Sequence, residues 1–158
     1  MSDEYFQALQ VRLPGPEITP DQLKLRNWWK GPRLYIMVDD YDLVSSGMRG
    51  PLEPLVEVLA QGADIGMHLI VARSSSGASR AMMDSVFRRL WEVGTPGVLL
   101  SCPRDEGAFL GDTRPMLLPP GRAHYITRRR AVLLQTAYSP ADQGAVVAVE
   151  NPQPTTAP

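Results

Sequence analysis

Two short apolar runs constrain this chain more than anything else in it: Leu34-Tyr35-Ile36-Met37-Val38 and Met67-His68-Leu69-Ile70-Val71-Ala72. Neither alternates with polar residues, which is the pattern of strands buried on both faces of a parallel sheet. The first runs straight into Asp39-Asp40-Tyr41-Asp42 and the second into Arg73-Ser74-Ser75-Ser76-Gly77. Between them a loop with Ser45, Ser46, Gly47 and Gly50 leads to Leu52, Leu55, Val56 and Leu59, whose spacing predicts an amphipathic helix. Met82, Met83, Val86, Phe87, Leu90 and Trp91 predict a further helix closed by Gly94, and Gly97-Val98-Leu99-Leu100 a third strand. Strand, helix, strand, helix, strand is the grammar of an α/β domain with right-handed crossovers.

In such sheets ligands collect beyond the carboxyl ends of the strands, so the polar residues there are the first functional candidates. Beyond Cys102 the pattern changes. Short β-like pieces at 123–127 and 131–137, among Pro115, Pro119, Pro120 and Gly121, predict an antiparallel edge. Before the sheet, Phe6, Leu9 and Leu13 predict a helix over 3–12 with Ser2 as its cap, and Thr19-Pro20-Asp21-Gln22 is a capping box opening another. Trp28 and Trp29 read as indoles anchoring a lead-in segment. The expected organisation is a helical lead-in over 1–30, an α/β domain over 31–138 and a tail over 139–158. Four prolines among Ala, Gln and Thr predict disorder in that tail.

Composition narrows the function. With 16 basic against 17 acidic residues the net charge is −1, which lacks the basic excess of a sequence-independent nucleic-acid binder. A single cysteine excludes an internal disulfide and a multi-cysteine metal site; Cys102 reads as a buried thiol. The polar start is no signal peptide, and no apolar run reaches the ~20 residues of a membrane span. His68, inside an apolar strand, reads as a satisfied core histidine. Arg128-Arg129-Arg130, between two short strands, reads as a solvated turn, with phosphate contact as the other reading. Ser74, Ser75 and Ser76 lack a nucleophile-elbow pattern, which argues against serine-hydrolase chemistry.

The sharpest constellation is Val38-Asp39-Asp40. Phosphoryl transfer requires a metal held near the phosphates and a group orienting the attacking water. Adjacent carboxylates at the mouth of a buried strand suit both tasks, the arrangement of a Walker B strand; alternatively they only punctuate the strand. The lysine-bearing glycine loop of a Walker A motif is absent from these residues. The only lysines are Lys24 and Lys30, and Gly47-x-x-Gly50 is followed by Pro51.

Several segments taken together resemble the FtsK/SpoIIIE-like ATPase domains of EccC, the motor of type VII (ESX) secretion systems, above all their carboxyl-terminal module. They are Leu13 to Pro16, Thr19 to Leu23, Trp28-Trp29, Leu34 to Val44, Asp64 to Arg73, Asp105-Glu106-Gly107 and Leu118 to Arg122. The resemblance spans roughly Leu13 to Ser139. It implies a partial P-loop fold of the ASCE, RecA/FtsK-like type: a three-layer α/β domain, mostly parallel, with an antiparallel carboxyl-terminal edge. It also implies ATP and Mg as ligands of the intact domain, hexameric assembly with other ATPase modules, and a WXG100-type substrate whose carboxyl-terminal signal the last module receives. Nucleic acid and membrane insertion are not expected. The location implied is cytoplasmic, at the inner face of the cell membrane.

Carried over by position, Asp39 matches the Mg-coordinating carboxylate, and Asp40 stands where an active motor has glutamate. Ser74 takes the place of a sensor glutamine, preceded by Arg73. Aspartate is a methylene shorter than glutamate, which displaces the attacking water by about an ångström, a shift that can cost ~100-fold in rate. These departures imply nucleotide sensing without efficient turnover and no stable nucleotide binding by this chain alone, whether it is a portion of a longer protein or a short relative. The residues leave two other classes open, a protein-binding adapter on a degenerate scaffold and a DNA translocase. The balanced charge disfavours the latter.

Overall fold

In the computed structural model the described residues are 3–45, 50–77, 80, 82–108, 110–137 and 139. Ser2, Ser46, Gly47 and the tail from Pro140 onward lie outside them.

The lead-in forms two helices, α1 (Asp3–Gln10) and α2 (Pro20–Leu25). Thr19 opens α2 with the reciprocal bonds of a capping box: Gln22 N donates to its hydroxyl at 3.3 Å, and its own N–H donates to Gln22 Oε1 at 3.0 Å. Strand β1 (Leu34–Val38) pairs in parallel with β2 (Met67–Val71), with Leu34 opposite Met67 and Val38 opposite Val71. A single helical turn, α3 (Tyr41–Val44), follows β1, and α4 (Ser85–Glu92) follows β2. Strands β3 (Gly97–Leu99), β4 (Arg122–Ile126) and β5 (Ala131–Gln135) form an antiparallel sheet in that order.

Leu9, Tyr41, Leu55, Val58, Ile65, Met67 and Val86 make the main core under β1 and β2. Leu99, Cys102 and Ile126 make a second, with Trp91 packed on it. Helix α4 joins the two, contributing Val86 to one and Trp91 to the other. Cys102 is fully buried, as its reading as a structural thiol requires.

Four expectations are corrected. Strands β1 and β2 are buried on one face only: Tyr35, Met37 and Ile70 point outward at 55%, 75% and 52% exposure. β3 does not extend the parallel pair but runs antiparallel to β4. The helix expected over 52–59 is two 3₁₀ turns, Glu53–Glu57 and Leu59–Gln61, closed by bonds three residues back such as Leu55 N to Leu52 O at 2.9 Å and Val58 N to Leu55 O at 3.0 Å. Its buried stripe stands, since Leu52, Leu55 and Leu59 are all in the core. Finally, His68 is not a satisfied core histidine. Its ring stacks on Tyr35 at 4.6 Å between centroids, and its buried Nε2 has no partner among the described residues.

Candidate functional site

The carboxyl ends of β1 and β2 are drawn together by backbone bonds. Ala72 N donates to Val38 O at 2.8 Å, and Tyr41 N donates back to Ala72 O at 3.0 Å. Asp39 leaves the tip of β1 exposed to solvent, and Asp40 follows it, also exposed. Asp40 takes a left-handed conformation, φ 46° and ψ 48°, which aspartate tolerates better than most residues. That reversal starts α3 and brings Asp40 N within 3.0 Å of Asp39 Oδ1.

Arg73 and Ser74 leave the tip of β2 beside them. Arg73 curls onto its own loop: Nε donates to Ser74 O at 2.9 Å and a terminal nitrogen to Ser76 O at 3.0 Å. Thus the four residues singled out from the sequence, Asp39, Asp40, Arg73 and Ser74, share one end of the parallel pair. The two carboxylates bond neither Arg73 nor Ser74 among the described residues.

Two carboxylates without a role in the sequence reading position this end. Asp42 Oδ1 accepts Ser74 N at 3.2 Å, tying α3 to the loop after β2. Glu106 Oε2 accepts Gly77 N at 2.8 Å, tying the latter loop to the 3₁₀ turn Arg104–Glu106. Both lie in segments conspicuous for their acidity, Asp39 to Asp42 and Asp105-Glu106, but a run of carboxylates does not say which one turns inward.

Beneath, Tyr41 is buried and its hydroxyl meets both oxygens of Asp84 at 3.1 Å. Asp84 caps α4 by accepting Val86 N at 2.9 Å and Phe87 N at 3.2 Å. Burial first, then the negative charge of Asp84, pushes the Tyr41 phenol well above the ordinary tyrosine range. It therefore stays a hydrogen-bond donor and joins the start of α3 to the start of α4.

No group of three or more His, Cys, Asp or Glu able to hold a metal occurs among the described residues. A single exposed carboxylate suits one coordination position of a Mg ion that phosphates would otherwise ligate.

The relatives agree with this architecture. No protein-family model matches the chain. Over 132 residues it is 46% identical to the ESX secretion system protein EccC of Thermomonospora curvata, covering 83% of this chain and 10% of that protein. Over 133 residues it is 46% identical to the ESX-4 secretion system protein EccC4 of Mycobacterium tuberculosis, covering 84% and 11%. The chain belongs to the EccC family. It spans about a tenth of the length of these EccC relatives.

Among solved structures, one of Thermomonospora curvata EccC (ATPases 2 and 3) in complex with a signal sequence peptide superposes with a TM-score of 0.79 at 44% identity. The match covers 87% of this chain and 25% of that one. The fold class expected from the sequence, an α/β P-loop-type ATPase domain with an antiparallel carboxyl-terminal part, is thereby that of its EccC neighbours.

Proposed function

We propose that this EccC-family chain belongs to the last ATPase module of a type VII secretion motor. It serves export by receiving the carboxyl-terminal signal of a WXG100-type substrate and by sensing nucleotide, not by efficient hydrolysis. The observation that carries this reading is the exposed Asp39-Asp40 pair at the tip of β1, level with Arg73 and Ser74, in a chain whose two lysines lie outside any glycine loop. The signal peptide bound to its EccC neighbour supports the substrate half.

Mg-ATP is only half provided for here. Asp39 offers a carboxylate to the metal, but the 158 residues hold no lysine-bearing glycine loop to cradle phosphates, so no reaction step is assigned. Mg-ATP bound to a complete domain supplies the free energy of phosphoryl transfer. Arg73 and Ser74 fit the role of reporting the γ-phosphate to the loop that Asp42 and Glu106 hold. In the whole assembly the module would pack with others as a hexamer on the cytoplasmic face of the membrane. No helix among the described residues is long and apolar enough to cross a membrane.

A titration with a fluorescent ATP analogue and Mg tests the nucleotide half: weak or no binding is expected. Micromolar affinity abolished by Asp39→Ala would overturn the missing-cradle argument. Pull-down with export substrates carrying or lacking their carboxyl-terminal tails tests the other half; equal capture of both forms disposes of the signal-receiving role. The outward Tyr35, Met37 and Ile70 favour a second reading, a protein-binding adapter on the same scaffold. Tail-independent capture that Met37→Asp abolishes would support it.

A further inference from the structure

The arginine triplet is not simply a solvated turn. The turn between β4 and β5 is closed by Thr127 N donating to Arg130 O at 2.9 Å, and its three arginines divide their labour. Arg128 is spent on structure: its Nε donates to Trp91 O at 2.9 Å and a terminal nitrogen to Glu92 O, which places a cation on the last carbonyls of α4. The side chains of Arg129, Arg130 and Arg114 have no hydrogen bond or ion pair among the described residues. All three line one open cavity of about 570 Å³ with Trp91, Leu110 and Leu133 in its wall.

Alongside runs the edge of β5 that no described strand covers. It is the last strand of its sheet, and Ala-Val-Leu-Leu-Gln carries no charge or proline to discourage pairing. The bonds that bracket the hairpin, Thr127 N to Arg130 O and Thr136 N to Gly121 O, fix which residues face β4. By antiparallel alternation Arg130, Val132, Leu134 and Thr136 point their backbone groups at β4. Ala131, Leu133 and Gln135 then direct theirs away from it, and Ala131 and Leu133 also line the cavity.

We propose that this edge and its arginines form a docking site for an extended, carboxylate-bearing segment of another polypeptide. The segment adds as a strand to β5 through the backbone groups of Ala131, Leu133 and Gln135 and sets its acidic side chains against Arg114, Arg129 and Arg130. Charge complementarity selects the occupant. Three unpaired guanidinium groups in one wall match carboxylates. A nucleic acid tracks a basic surface many phosphates long, and the balanced charge of the chain, with Asp112 among the lining residues, provides no such surface beyond these arginines. The site is on the antiparallel sheet and shares no residue with the Asp39 end, so it stands or falls independently of the nucleotide reading.

The test titrates the full chain into a fluorescent peptide of alternating valine and threonine flanked by glutamates. The same peptide with lysines in place of the glutamates, and a single-stranded oligonucleotide, serve as comparison probes. The glutamate peptide is expected to bind, weakening with salt, and the lysine peptide and oligonucleotide not to bind. R129E/R130E, exposed substitutions that leave folding alone, should weaken binding at least tenfold, the scale of losing two charge-assisted contacts. Leu133→Pro removes an outward N–H without touching the ladder to β4, and should do the same. Unchanged binding by R129E/R130E overturns the proposal, as does equal affinity for either comparison probe. Binding seen only after residues 140–158 are deleted would give the edge to the chain's own end and overturn a partner from another polypeptide.

Discussion

The two ends of the β1–β2 pair are built from different materials. At the amino end, Trp29 lies over Gly66 and donates its indole N–H to Asp64 O at 2.7 Å. Arg12 covers the ring at 4.6 Å and reaches Pro32 O at 3.0 Å and Ile65 O at 3.3 Å. Trp28 fastens the same segment through Arg12 O at 2.8 Å. At the carboxyl end, Asp39 and Asp40 stand in solvent, and beyond the backbone bonds at the strand tips Asp42 and Glu106 each add one exposed carboxylate-to-backbone bond to the loop after β2. Half-buried aromatic packing over backbone holds its contacts where exposed bonds to carboxylates exchange readily with water. The first end is a clamp; the second is free to trade its bonds for those of a ligand. Stability should therefore respond to mutation at one end and ligand response at the other.

The largest effect is expected at Gly66. Its φ of +72° is a conformation that a side chain strains to adopt, and a Cβ there would collide with the Trp29 ring. Gly66→Ala combines a left-handed penalty of about 1 kcal/mol with overpacking of about 1–3 kcal/mol. Urea unfolding followed by circular dichroism should show a loss of that combined size. A loss below about 0.5 kcal/mol would mean that the indole does not clamp this end.

How far the sequence revealed this asymmetry depended on whether the signal was local. The capping box at Thr19 and the hairpin of β4 and β5 were legible because turn and cap chemistry reside in adjacent residues. The one-sided burial of β1 was not: the outward Tyr35 and Met37 are as apolar as the inward Ile36, so no alternation remained to read. β3 looked like another parallel strand because three residues carry no direction, and its partner Tyr125 lies far along the chain. At the candidate site, the strand-tip positions of Asp39, Asp40, Arg73 and Ser74 were legible from where the apolar runs stop. The bracing by Asp42 and Glu106 was not, because it joins residues 32 and 29 positions apart.

Between the extremes lies Asp84, which serves the core and the carboxyl end at once. Asp84→Ala removes the cap of α4, at about 1 kcal/mol, and strands the buried Tyr41 hydroxyl, at about 1–3 kcal/mol. The same pair predicts an alkaline response. The Tyr41 phenol is raised in the folded state above its unfolded value of about 10, so above that pH the unfolded chain has released a proton that the folded chain keeps. The stabilisation is complete below pH about 10 and is lost as the pH rises through the window above it. The difference in stability between the parent chain and Tyr41→Phe, measured by urea unfolding across that range, should change with pH. A constant difference would mean that the phenol is not perturbed.

The smallest effects on folding belong to the strand tips, and there the comparison is sharpest. Asp42→Ala deletes one exposed bond, so it should cost about 0.5–1 kcal/mol, yet it should speed hydrogen exchange at Ser74 N–H, the one amide that Asp42 protects. Among the described residues Asp39 accepts only the N–H of its neighbour Asp40, and both are exposed. Asp39→Ala should leave stability within about 0.5 kcal/mol and exchange at Ser74 unchanged. If instead Asp39→Ala destabilises as much as Asp84→Ala, Asp39 is a structural cap and the carboxyl end is no freer than the clamp. If the two aspartates separate as expected, Asp42 shapes the loop, and Asp39 remains the carboxylate whose removal alters only what the site can hold.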